Sequence, residues 1–92
     1  MIDMFVKWKD ASPDEPILLY GELDDERWEV RKVEIFRDNS KIYASETESH
    51  GDIELSYEPI PTLAEINENP QFEACEISQD EFEKVWEARK EC

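Results

Sequence analysis

Ninety-two residues make one domain at most, spanning 1–92, and 39 % apolar content with ten aromatic side chains suffices for one small core, not for a large cofactor fold. The charge is lopsided: 25 acids face 10 bases, for a net of -15. Such a chain repels nucleic acid and anionic lipid surfaces and attracts cations and basic proteins at long range.

The acids are also unevenly placed. Between Ile42 and Glu83 there are twelve Asp and Glu and no Lys or Arg. The bases sit at Lys7, Lys9, Arg27, Arg31, Lys32, Arg37 and Lys41 in the first half, and at Lys84, Arg89 and Lys90 near the end. The apolar residues come in patterned clusters, which argues for a folded chain despite the charge. The opening residues lack the basic start and long apolar run of a secretory signal, and no segment has the length of a membrane span, so a cytoplasmic location is expected. Cys75 and Cys92 form no disulfide framework and are read as reduced, with Cys75 buried.

Phe5 to Trp8 is a short β-prone run, ended by the proline-rich loop 10–16. A second strand runs from Ile17 to Leu23, with Ile17, Leu19 and Leu23 on one face and Gly21 allowing close approach of a neighbour. Asp24, Asp25 and Glu26 make a turn. Arg27 to Phe36 is a long strand in which Trp28 and Val30 share one parity and Val33 and Ile35 the other. A β-bulge at Arg31-Lys32 would restore all of them to the core face. Residues 37–41 close a hairpin onto a strand from Ile42 to Ser45, so the sheet is antiparallel there.

Glu46 to Asp52 reads as a polar turn and Ile53 to Tyr57 as a further strand, ended by Pro59 and Pro61. Thr62 and Glu65 form a capping box opening a short helix that points Leu63 and Ile66 inward. Phe72 to Ile77 is a connecting or edge strand. Ser78 and Glu81 form a second capping box, opening a helix from Gln79 to about Lys90, with Phe82, Val85, Trp86 and Arg89 along one stripe. The fold class is therefore α+β: a four- or five-stranded, mainly antiparallel sheet with the C-terminal helix on one face and the short helix beside it.

Catalytic motifs are scarce. The one histidine, His50, stands in a polar turn, where an exposed turn residue is a better account than a catalytic base. Gly21 and Gly51 are too far apart for a phosphate-cradling loop. Zinc would need His50, Cys75 and Cys92 from unrelated segments, and no calcium-loop pattern occurs, so no metal and no cofactor is expected. Carboxylate pairs will arise by chance among so many acids. The bases around Trp28 are interleaved with acids, which favours salt bridges over nucleic-acid contacts, and Trp8, Trp28 and Trp86 are read as core aromatics. An enzyme reading would group Arg27, Glu22 and Asp24 in a cleft; a scaffold of cross-strand pairs fits the same string better.

What remains is the acidic surface. Like charges crowded on one small domain repel and lower its stability, so their excess points to a binding role. The residues nominated for contact with a partner are Glu46, Glu48, Asp52, Glu54 and Glu58, with Asp14 and Glu15 of the proline loop as a second patch.

The string Glu22-Leu23-Asp24-Asp25-Glu26-Arg27-Trp28-Glu29-Val30-Arg31-Lys32-Val33-Glu34-Ile35-Phe36, with Pro13 to Pro16 before it and Ile77, Ser78, Glu81, Phe82, Val85 and Trp86 closing the chain, resembles a family of short, acidic, functionally uncharacterised bacterial domains. The likeness runs from about Phe5 to Trp86 and carries no catalytic residues with it. It implies a bacterial cytosolic protein in a setting of small accessory proteins, including those that neutralise toxins. The expectation is accordingly a non-enzymatic, immunity-type inhibitor that binds a basic toxin or nuclease effector, with neither nucleic acid nor membrane as partner. The alternatives are a nucleic-acid mimic that inhibits a DNA-binding or defence protein, a small enzyme with the Arg27 cleft, and a scaffold binding through its sheet edge.

Overall fold

A computed structural model of the chain describes residues 1–51 and 53–90. The first β-prone run is longer than its apolar core suggests: β1 (Ile2–Trp8) pairs antiparallel with β2 (Leu18–Leu23), with Val6 opposite Leu19 and Met4 opposite Gly21. β3 (Glu29–Ile35) and β4 (Lys41–Ser45) follow as a hairpin. Its turn is built as the short polar residues require. Asn39 takes a left-handed φ of 72°, and the Asp38 carboxylate accepts hydrogen bonds from the Ser40 amide and hydroxyl.

The irregularity in β3 is present but lies one residue earlier than the parity switch implied. Glu22 faces Arg31 and Leu23 faces Glu29, so Val30 is the extra residue. A two-residue strand, β5 (Ser49–His50), adds to β4 within the stretch read as a turn. Residues 53–57, read as a strand, are not one. Gly51 ends the pairing at φ 95°, where a Cβ would come within 2.3 Å of Ile42 Cγ2. Beyond it the backbone bonds elsewhere: the Ser56 amide donates to the Glu29 carboxylate, and the Ile60 amide to the Arg27 carbonyl.

The sheet order is β5-β4-β3-β2-β1, followed at the far edge by β6 (Phe72–Ile77), which pairs antiparallel with β1. A chain that reaches one edge as a meander must return to the other, and residues 53–62 do so across one face. Pro59 and Pro61 suit this extended path. The return ends in α1 (Leu63–Asn67), capped by Thr62, whose hydroxyl accepts the Glu65 amide at 3.2 Å. Leu63, Ile66 and Ile60 pack on Met4, Val6 and Leu23. α2 (Gln79–Glu87) then starts at Ser78, whose hydroxyl accepts the Glu81 amide at 3.1 Å, and crosses the opposite face. The expected α+β class holds, with six strands and with the helices on opposite faces instead of side by side. Cys75 is exposed, not buried, because β6 is an edge strand. Cys92 lies outside the described residues.

Under α2 the sheet presents charge as well as hydrocarbon. Phe82 is fully buried and Trp86 meets Tyr43 edge-on, with ring centroids 5.8 Å apart. Between these rings lies the Arg31 guanidinium, 5.0 Å from the Phe82 ring and 5.2 Å from the Trp86 ring. It donates through Nε to Glu22 at 2.8 Å on the neighbouring strand and through Nη2 to Glu83 of α2. The Glu83 carboxyl is held below its ordinary range by that hydrogen bond. Beside Glu22, across the β1–β2 ladder, sits Asp3. These two carboxyls are 2 % and 4 % exposed, and Glu22 Oε2 and Asp3 Oδ1 have no donor among the described groups.

Two carboxyls so placed repel each other once both are ionised. Burial pushes Asp3 up to about 6, and its hydrogen bond with Glu22 and the repulsion between them act in the same direction, against the N-terminal amine and Arg31. Asp3 is thus the proton-bearing partner below that value and donates to Glu22.

Two outcomes follow for stability. Phe82→Ala costs about 3–5 kcal/mol and Ser78→Ala about 1 kcal/mol in urea unfolding, because α2 is held by packing more than by its cap. The second concerns Asp3, whose folded carboxyl binds its proton more tightly than the unfolded one, about 6 against 3.8. Its contribution is therefore complete below the unfolded value and is lost as pH rises through the folded one. Asp3→Asn keeps a donor to Glu22 without the charge. Relative to the unsubstituted chain, the variant gains on the order of 1–3 kcal/mol between pH 4 and pH 7, measured by urea unfolding at several pH values. A difference that stays flat over that range would refute the raised Asp3 carboxyl.

Candidate protein-binding face

The nominated acids separate into two groups at opposite ends of the sheet. Asp14 and Glu15 lie in the loop joining β1 to β2, at the end where the β3–β4 hairpin turns. Glu15 is partly spent locally, accepting the Ser12 amide at 3.0 Å, and the Arg37 guanidinium ties the two loops by donating to the Ala11 carbonyl. Glu46, Glu48, Glu54 and Glu58 lie at the other end, after β4 and along the return segment. Asp52 lies outside the described residues.

Within the second group the roles differ. Glu48 is half-buried and paired with Arg89, whose guanidinium also lies 4.1 Å from the Trp86 ring. It holds α2 and offers little to a partner. Glu46 and Glu54 flank a shallow groove together with Ser49, Ile53 and Tyr57. Glu54 accepts the Tyr57 hydroxyl at 2.7 Å, which pushes that hydroxyl's pKa up. Glu58 is exposed.

Two aromatic side chains at this end escaped the sequence reading. Tyr57 is 80 % exposed, and Trp28, expected in the core, is 39 % exposed. The reason for Trp28 is local. Asp24 accepts the amides of Glu26 and Trp28, at 2.9 and 3.0 Å, and Arg27 takes a positive φ of 70°. The turn is thereby extended, and Trp28 stands before the ladder, which starts at Glu29. Trp8 and Trp86 are half-buried against Phe72 and Tyr43. Asp25 and Glu26 of the same turn are exposed. In the sequence this end is marked only by the adjacent Asp25 and Glu26, which turn chemistry alone accounts for.

Three guanidinium groups near this end point inward. Arg27 donates to the carbonyls of Ile60, at 2.7 Å, and Pro61, pinning the return segment to the β2–β3 turn. Arg31 and Arg89 are engaged beneath α2. The surface left outward carries Asp25, Glu26, Glu46, Glu54 and Glu58 with Trp28 and Tyr57 among them. The grouping of Arg27, Glu22 and Asp24 in one cleft is not assembled, since Glu22 lies under α2 against Arg31.

On the face crossed by the return segment, a pocket of about 240 Å³ opens over β1 and β2. Its polar edge is Glu29, Lys32 and Glu34 of β3, with Lys32 Nζ 3.3 Å from Glu29. His50 is exposed on β5 and stacks on Tyr43, with centroids 5.4 Å apart. No described helix is long and apolar enough to cross a membrane.

Neither the curated proteins nor the solved structures contain a match to this chain. A family described as a domain of unknown function, DUF6881, matches residues 4–91, from within β1 to beyond α2. With that span of strands and both helices matched, the chain belongs to the DUF6881 family.

Proposed function

We propose that this domain is a bacterial, cytosolic inhibitor of the immunity type, which binds a basic toxin or nuclease effector and blocks its active site. The observation that carries the reading is the acidic end bearing Trp28 and Tyr57, whose neighbouring guanidinium groups are turned inward. Tyr and Trp are the side chains most often found as the energetic anchors of a protein interface, within a polar rim. Carboxylates at Glu46, Glu54 and Glu58 would occupy positions where an effector binds substrate phosphates. The net charge of -15 would steer encounter with a cationic partner, accelerating it by roughly 10- to 1,000-fold at low salt.

The test is co-expression with a basic effector encoded beside the gene, scored by protection of growth and by association kinetics. Charge reversal at Glu46 and Glu54 lowers the association rate by about tenfold and flattens its salt dependence. Tyr57→Ala acts mainly on dissociation, raising Kd by about 10- to 30-fold. The double reversal Asp14→Lys, Glu15→Lys at the far end lowers the association rate far less, through the net charge alone, and leaves dissociation unchanged. Protection that persists when all of the acids at the Tyr57 end are reversed would overturn the proposal.

A further inference from the structure

The pocket over β1 and β2 has a chemistry that the acidic end does not share. Its floor is Met4, Val6, Leu19 and Leu23, and its walls are Ile60, Ile66 and Phe72, all apolar. Gly21 lies in the same floor without a side chain. A Cβ there would meet Met4 Cγ at 3.8 Å, an ordinary contact, so the space above it is vacant without being forced to be. A space of about 240 Å³ holds a short chain or one small ring and nothing of cofactor size.

The polar edge selects the sign of the occupant. Glu29 is satisfied by Lys32 at 3.3 Å and by the Ser56 amide at 2.6 Å, and Lys32 is neutralised in return. Glu34 is half-buried next to them and makes no hydrogen bond or salt bridge among the described residues. Burial pushes its carboxyl up, Lys32 draws it down, and Glu29 pushes it up again. One acid is left over at the mouth of an apolar pocket. A second carboxylate would repel it, a neutral chain would leave it uncompensated, and an ammonium group on a short alkyl stem would meet both demands.

We propose that this pocket binds a single alkylammonium group of about four to six carbons, its stem on Met4, Val6 and Leu19 and its charge against Glu34. A free amine and the lysine side chain of a protein share that chemistry. The site lies on the face crossed by the return segment, and the inference stands whether or not the acidic end binds an effector.

The experiment is a titration of the full chain, followed by the methyl NMR signals of Met4, Val6, Leu19, Leu23 and Ile66. The probes are n-pentylammonium, pentan-1-ol, pentanoate and Nα-acetyl-lysine methylamide. Pentylammonium is expected to give saturable shifts confined to these methyls, with Kd of roughly 1–10 mM and at least fivefold tighter than pentanol, while pentanoate gives none. Glu34→Gln removes the preference for amine over alcohol and leaves pentanol binding unchanged. Gly21→Val fills the floor and abolishes both; should that variant fail to fold, the Glu34→Gln comparison decides alone. Shifts with the lysine analogue equal to those with pentylammonium assign the site to a protein lysine, and their absence assigns it to a free amine. Absence of saturable shifts with pentylammonium, pentanoate binding as tightly as the amine, or an amine preference that survives Glu34→Gln would each overturn the proposal. Because no effector is involved, the outcome is independent of the test of inhibition.

Discussion

Arg31 is the charge around which this acidic domain is organised. Taking Glu22 out of water is costly unless a cation goes with it, and Arg31 faces it directly across the β2–β3 ladder. The guanidinium then has donors to spare for Glu83 of α2 and a planar surface to set against Phe82 and Trp86. One side chain therefore neutralises a buried acid, bonds the helix and fills space between its rings. A lysine could supply the charge but neither the forked donors nor the flat face. The position of α2 over β1, β2 and β3 depends on this arrangement, and so does the burial of Asp3 next to Glu22.

The same economy shapes the surface. Arg27 is bound to carbonyls of the return segment, and Arg31 and Arg89 lie beneath α2, so three cations that could offset the acids face inward. The end carrying the β2–β3 turn and the β4–β5 turn is left more negative than an even spread of the same residues would make it. Self-repulsion there lowers stability, while the inward cations hold together the two elements, return segment and α2, that cover the sheet. An acidic exterior and guanidinium groups turned inward are two sides of one arrangement.

Crossing the sheet once on each face also explains the pocket. The return segment is short and bears two prolines, so it spans the sheet as an extended strap and cannot cover the face as a full helix would. α1 closes the part over β1 and β6, where Leu63 and Ile66 reach Met4 and Val6. Between strap and helix the floor around Gly21 stays open, with Glu34 at its margin.

Local chemistry alone determined much of this protein. Capping residues Thr62 and Ser78 start helices where their side chains meet orphan amides, the Asp38–Ser40 turn closes its hairpin, and the stripe through Phe82 and Trp86 buries one side of α2, because each of these depends on residues within a few positions. The two-ended distribution of Asp14 and Glu46, the exposure of Trp28 and Cys75, and the loss of a strand at 53–57 were decided only by the tertiary structure. Those features depend on which strand lies at an edge and on which distant carbonyl or carboxylate an amide or guanidinium finds: Ser56 with Glu29, Arg27 with Ile60, Arg31 with Glu83. Such pairings join residues more than twenty positions apart, and no periodicity or spacing along the chain encodes them, since they form only when the sheet brings the partners together.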